Sequence, residues 1–93
     1  MEFEWDDTKA AANESKHGVP FADAITVFGD PLSVTVYDPD HSDEEDRYVT
    51  MGVSITARLL IVSHTDRGDQ VRIISAREAT RAERRDYEDG NFP

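Results

Sequence analysis

The chain has 93 residues, 38% of them hydrophobic, and carries a formal net charge of −10. This length predicts one domain over residues 1–93, because chains divide into several domains only beyond roughly 250 residues. The absence of cysteine excludes disulfides and thiolate metal sites and fits a reducing cytoplasm. No apolar run approaches the roughly 20 residues of a membrane span, and the first residues lack the basic start of a signal peptide, so no membrane association is predicted.

The first quarter of the chain predicts a short strand and two helices. Residues 3–5 alternate apolar and acidic side chains, as in an edge strand, and Asp6 is placed to cap a helix over residues 7–16 that Gly18 ends. Apolar side chains at helical spacing predict a second helix over residues 21–28.

The middle of the chain predicts an antiparallel sheet. Residues 34–37 and 49–53 alternate with a period of two, and Gly52 marks a bulge or a close backbone approach. Residues 59–62 are apolar on both faces, as expected of a central strand, and residues 65–69 form a turn into the next strand. The acidic connection 38–46 lacks the alternating ligands and central glycine of a calcium loop, which favours a solvated loop over a metal site.

The C-terminal region predicts a strand over residues 71–77 and a polar helix over residues 79–88, begun by a capping box of Thr80 and Glu83. The predicted fold is therefore α+β: an antiparallel sheet of four to five strands, packed against two N-terminal helices and a C-terminal helix. Five arginines lie between Arg72 and Arg85, which is half of the chain's lysine and arginine.

Charge is unevenly distributed between the two halves. Residues 1–46 contain 13 acidic and 2 basic residues, whereas residues 47–93 contain 7 acidic and 8 basic residues. The acidic half could attract a basic partner while the arginines bind phosphate; alternatively, the acidic surface only aids solubility.

Short motifs along the chain occur in the order seen in a known family: Phe3-Glu4-Trp5-Asp6, Lys16-His17-Gly18-Val19, Asp30-Pro31, His41-Ser42 with Glu45 and Arg47, Arg72-Ile73-Ile74-Ser75-Ala76-Arg77, and Ala79-Thr80 with Glu83-Arg84. The chain thereby resembles BrnT, the toxin of BrnT/BrnA type II toxin-antitoxin systems, over nearly its whole length. Family members often have Ser at the position of Pro20 and Gly at that of Ala57.

The resemblance implies a RelE-like α+β fold and an endoribonuclease that needs no metal or other cofactor. It also implies a BrnA-like antitoxin that neutralises the toxin in a heterocomplex and through which alone the toxin reaches operator DNA. The runner-up interpretation, which the acidic composition favours, is a non-catalytic module that binds a DNA-binding antitoxin without cleaving RNA.

Metal-free RNA cleavage needs a base, an acid and cations for the charge on the phosphate. Arg72 and Arg77 are the first candidates for the phosphate, since the guanidinium fork donates two hydrogen bonds. Five residues apart on an ideal strand, they point to opposite faces unless Arg77 lies past the strand end or a bulge intervenes. Alternatively, Arg77 forms an ion pair at the terminus of the following helix, or pairs with Glu78 or Asp86.

His17 is the candidate acid or base, because imidazole titrates near a pKa of about 6.5; the alternative is a residue that caps the first helix or lies at the surface. Further candidates for RNA binding are Lys16, Arg58, Arg67, Arg81 and Arg84. Arg58 and Arg67 could instead be solvated arginines at hairpin ends, and the helical arginines could bind acids of the antitoxin.

Overall fold

A computed structural model describes residues 1–91. In chain order, the elements are β1 (Glu2–Glu4), α1 (Asp7–His17), α2 (Phe21–Ala24), a 3₁₀ helix (Ile25–Gly29), β2 (Val34–Tyr37), a 3₁₀ turn (Pro39–His41), β3 (Arg47–Val53), β4 (Leu59–Arg67), β5 (Gln70–Glu78) and α3 (Arg81–Glu88). In this part of the chain no helix is both long and apolar enough to cross a membrane.

The five strands form one sheet in the order β1-β5-β4-β3-β2. The predicted α+β fold is confirmed, and the apolar strand β4 lies at the centre of the sheet as expected. The pairs β2–β3, β3–β4 and β4–β5 are antiparallel, whereas β1 pairs parallel with β5. The sheet is thus mixed rather than wholly antiparallel, because β1 reaches β5 from the far end of the chain and no hairpin fixes its direction.

The two faces of the sheet are covered differently. The face we call the α1 face packs Leu60, Val62, Ile73 and Ala76 against residues from the α1–α2 region, including the buried Phe21. On the opposite face, which we call the α3 face, a smaller cluster of Met51, Leu59 and Ile61 packs against Tyr87 and its neighbours. α3 packs on this cluster through Tyr87, whereas the rest of the face, including Val36, Ser63 and Ser75, is only partly buried.

α1 begins and ends as predicted. Asp6 accepts a hydrogen bond from the Lys9 main-chain nitrogen, and Gly18 ends the helix in the left-handed conformation with φ 69°. Asn13, in the middle of this polar helix, is buried. Its amide donates to the carbonyls of Val19 (3.1 Å) and Ala76 (2.9 Å) and accepts from the Ala76 nitrogen (3.1 Å). These bonds fix α1 to β5.

The second helix is shorter than the predicted span of residues 21–28. α2 ends at Ala24 and continues as the 3₁₀ helix, and across this junction the buried Ala24 and Val27 are three residues apart, which matches the three residues per turn of a 3₁₀ helix. Thr26 explains the change, because its hydroxyl donates to the Asp23 carbonyl (2.6 Å) and accepts from the Ile55 nitrogen (2.8 Å).

Two small residues mark tight backbone positions in the sheet. A Cβ on Gly52 would lie 3.0 Å from the Cβ of Ser33 and 3.2 Å from the carbonyl oxygen of Val27, which confirms the close approach predicted there. Ala57, in the β3–β4 turn, has φ 64°, a conformation that favours glycine.

Candidate active site

A bulge in β5 determines which arginines share a face of the sheet. Ser75 pairs with Ser63 and Ile73 pairs with His64, so the intervening Ile74 has no partner on β4. Val71, Ile73 and Ala76 therefore all belong to the core of the α1 face. Arg72 and Arg77 both lie on the α3 face as a result, which satisfies the bulge condition set by their spacing.

A groove of about 360 Å³ crosses the open part of the α3 face. Its floor is formed by Val36, Val49 and Ile61 and by the paired serines Ser63 and Ser75. Arg77 and Glu83 line it together with Tyr37, Asp38 and His41 from the end of β2 and the following turn. The groove thus combines an apolar floor with hydroxyl, cationic, anionic and imidazole groups.

Arg77 is held by a carboxylate on α3. Its Nη1 and Nη2 atoms donate to the two carboxylate oxygens of Glu83 at 2.7 and 2.9 Å, and Nη1 also donates to the main-chain oxygen of Glu78 at 3.3 Å. The carboxylate partner is Glu83 in the first turn of α3, so Arg77 forms an ion pair at the helix terminus, as one of the alternatives predicted, and not a side-chain pair with Glu78 or Asp86. This bonding lowers the pKa of Glu83 to about 2, which keeps the pair ionised at neutral pH.

Glu83 also begins α3. It accepts from the Thr80 nitrogen at 2.9 Å, and its own nitrogen donates to the Thr80 hydroxyl at 3.1 Å, which confirms the predicted capping box. Tyr87 holds α3 in place: its hydroxyl donates to the carbonyl of Leu32, in the turn before β2, at 3.0 Å, and its ring packs on the cluster of the α3 face.

Arg72 and Arg47 form a second cationic group on the α3 face. Both residues pair with Thr65 of β4, from opposite sides, so the three side chains form a row across the sheet. Arg72 has one distant ionic contact, at 3.7 Å to Glu4, and among residues 1–91 Arg47 has no ion-pair partner. The Arg72 guanidinium is therefore available to an anion, whereas Arg47 lies in a neighbouring pocket with Asp43, Glu44 and Glu45.

His41 lies on the groove and is paired with an acid. Its Nδ1 lies 2.8 Å from Oδ2 of Asp38, and its side chain is 65% exposed. A carboxylate on one imidazole nitrogen orients the ring and leaves the other nitrogen for proton transfer. The Asp-x-x-His spacing on the polar connection is the signal that could have found it.

The predicted histidine lies elsewhere. His17 and Lys16 are in the last turn of α1, which packs on the α1 face, so the structure does not bring them together with Arg72 and Arg77. Arg58 binds at the same end of α1: it donates to the Gly18 carbonyl at 3.0 Å and forms an ion pair with Glu78 at 3.3 Å.

The remaining candidates surround the open face. Arg67 lies at the end of β4 and pairs with Glu45 at 3.3 Å, and both side chains are well exposed. Arg81 and Arg84 are exposed on α3. Among residues 1–91, no group of three or more His, Asp or Glu side chains is close enough together to hold a metal ion.

Comparison with known proteins adds a family and a fold. The model of the family described as ribonuclease toxin, BrnT, of type II toxin-antitoxin system matches residues 5–83. The chain is also similar to the crystal structure of the Brucella abortus ribonuclease toxin, BrnT, with 25% sequence identity and a TM-score of 0.64; the similarity covers 87% of this chain and 99% of that one. No curated protein matches the chain.

Proposed function

Because the chain belongs to the BrnT family of ribonuclease toxins of type II toxin-antitoxin systems, we propose that it is a metal-independent endoribonuclease of the cytoplasm whose RNA substrate binds across the α3 face. One observation carries this proposal. The bulge at Ile74 places Arg72 and Arg77 on the same face as the groove that His41 lines.

The proposed chemistry is transesterification within the RNA. The 2′-oxygen attacks the adjacent phosphorus and the bond from phosphorus to the 5′-oxygen breaks, which leaves a 2′,3′-cyclic phosphate and a 5′-hydroxyl. A base takes the proton of the 2′-hydroxyl, an acid supplies one to the 5′-oxygen, and cations stabilise the charge on the phosphate oxygens. The protein itself supplies only proton transfer and electrostatic stabilisation to this displacement at phosphorus.

We assign the phosphate to Arg72 and Arg77 and one of the two proton transfers to His41. When Nδ1 of His41 donates to Asp38, its Nε2 is free to exchange a proton with the substrate. His41 takes the place of His17 in this assignment because it lies on the groove. Arg47, Arg67, Arg81 and Arg84 extend the cationic surface along the RNA backbone, and the apolar floor of the groove fits a nucleobase.

The family implies an antitoxin partner, and we propose a BrnA-like protein that forms a heterocomplex over the groove and alone contacts operator DNA. The acidic connection 38–46 borders the groove through Asp38 and His41. A basic antitoxin segment attracted to this connection would therefore come to lie over the site.

The test is cleavage of RNA by the purified protein in the presence of EDTA. We expect cleavage to persist, and Arg72→Ala and Arg77→Ala to lower its rate by about 100-fold or more, because each removes a cation from the phosphate. Lys9→Ala is the matched control, since it removes one positive charge from the opposite side of the sheet. Activity that is lost in EDTA and returns with magnesium would contradict the proposal.

The non-catalytic alternative is favoured by one specific observation, which is that Glu83 already binds Arg77 with both carboxylate oxygens. Under this alternative, induced expression would not arrest growth, or the arrest would be unaffected by Arg72→Ala and Arg77→Ala. The endoribonuclease proposal instead requires that both substitutions relieve growth arrest.

A further inference from the structure

The pair between Arg77 and Glu83 leaves one edge of the guanidinium group unused. Arginine carries five N–H donors in a fixed plane. Three of them point to Glu83 and to the Glu78 carbonyl, and all three belong to the terminal nitrogens Nη1 and Nη2. The two that remain are the Nε–H and the second N–H of Nη2, which are adjacent and parallel. Among residues 1–91 neither has a hydrogen-bond partner.

This free edge has the geometry for a phosphate. Two parallel N–H groups bind two oxygens of a phosphate at once, as in bidentate pairs of arginine with carboxylates. The Arg77 side chain is 42% exposed despite its contact with Glu83, so a ligand can reach it. Glu83 and an RNA phosphate can therefore bind opposite edges of the same guanidinium.

Glu83 is itself held in place from two sides. Its carboxylate accepts from the Thr80 nitrogen, and α3, which carries it, is fixed by the hydroxyl of Tyr87 on the Leu32 carbonyl. A flexible arginine bound to this carboxylate loses its freedom to rotate before RNA arrives.

We propose that Glu83 is a positioning residue that fixes Arg77 with its Nε–Nη2 edge toward the RNA phosphate. This inference rests on the proposed function for its ligand. Simple electrostatics predicts that an acidic side chain beside an RNA site weakens RNA binding. The positioning role predicts the opposite, namely that the Glu83 carboxylate strengthens RNA binding.

The experiment measures Glu83→Gln in two assays. Affinity is measured with a 2′-O-methyl RNA oligonucleotide, which has no free 2′-hydroxyl, and cleavage with the unmodified oligonucleotide. Glutamine still accepts from the Thr80 nitrogen and preserves the capping box, but it offers one oxygen in place of two and cannot hold both terminal nitrogens of Arg77. Glu88→Gln, an exposed change on the same helix, is the control for loss of one negative charge.

We expect Glu83→Gln to weaken binding and to slow cleavage by about tenfold each, since the fork is no longer oriented. Glu88→Gln should leave both unchanged or strengthen binding. In an Arg77→Lys background, where there is no fork to orient, Glu83→Gln should change affinity less than about twofold. A melting temperature measured for each variant separates this effect from loss of α3.

Each other outcome is decisive. Equal or tighter binding by Glu83→Gln overturns the positioning role, as does an equal loss in the Arg77→Lys background. Wild-type protein that binds the 2′-O-methyl RNA but does not cleave the unmodified RNA overturns the proposed activity alone, and the affinity comparison still decides the role of Glu83. Wild-type protein that binds neither RNA overturns both.

Discussion

Replacing Asn13 with alanine tests the contact that fixes α1 to the bulged strand. β1 pairs with β5 only as far as Arg72, so the main chain of Ala76 lies beyond the end of β1. The Asn13 amide satisfies this backbone in place of a strand, because it donates to the Ala76 carbonyl and accepts from the Ala76 nitrogen. The variant leaves both groups, and the Val19 carbonyl, without this partner.

Three lost hydrogen bonds at about 1 kcal/mol each predict a loss of about 3 kcal/mol of unfolding free energy. For a domain of this size, 1 kcal/mol shifts the melting temperature by about 4–8 °C. Asn13→Ala should therefore melt roughly 12–24 °C below the wild type in far-ultraviolet circular dichroism. Urea unfolding should give the same free energy difference with an unchanged slope.

The neighbouring Glu14→Ala is the control, since Glu14 is exposed and its change should stay within about 0.5 kcal/mol. If Asn13→Ala and Glu14→Ala melted within a few degrees of each other, the amide would not be the link between α1 and β5.

Three further predictions concern other parts of the molecule. Ala57→Gly should raise the unfolding free energy by about 1 kcal/mol in urea unfolding, because it relieves a left-handed alanine, and no gain would contradict this strain. Burial lowers the pKa of His64, and the negative charge of Asp66 opposes this only in part. As the pH falls, His64 is therefore protonated in the unfolded state before it is protonated in the folded state. The unfolding free energy should then fall as pH drops below about 6.5, and His64→Gln should decline less steeply; parallel declines for the two proteins would contradict this. Finally, association with the antitoxin should slow as ionic strength rises from about 0.05 to 0.5 M and should protect Arg72 and Arg77 from solvent, and a rate independent of salt would exclude capture by charge.

Local patterns in the sequence predicted the elements that local chemistry determines. Asp6, Gly18 and the Thr80–Glu83 pair are caps whose partners lie within four residues, and the apolar run of β4 requires burial on both faces. The direction of β1 and the 3₁₀ helix after Ala24 depend on contacts with distant segments, such as that between Thr26 and Ile55. The periodicity of apolar residues along the sequence gives no information about such long-range contacts.

The candidate site was predictable to the same extent. Arg72 and Arg77 follow from composition and from the family motif, but their common face depends on Ile74, which looks like any other apolar residue of the strand. In the sequence, His17 and His41 both lie among polar residues. Only the packing of α1 on the opposite face separates them.

The bulge at Ile74 means that the site is specified by the length of β5 as well as by its residues. Deleting Ile74 would bring Arg72 and Arg77 four residues apart, and regular alternation would then keep both on the α3 face. Inserting one residue between them while the bulge stays would instead turn Arg77 toward the buried side of the sheet and Ala76 toward the groove. A variant with one such inserted residue would therefore keep every candidate side chain in its sequence, and yet it would have lost Arg77 from the α3 face.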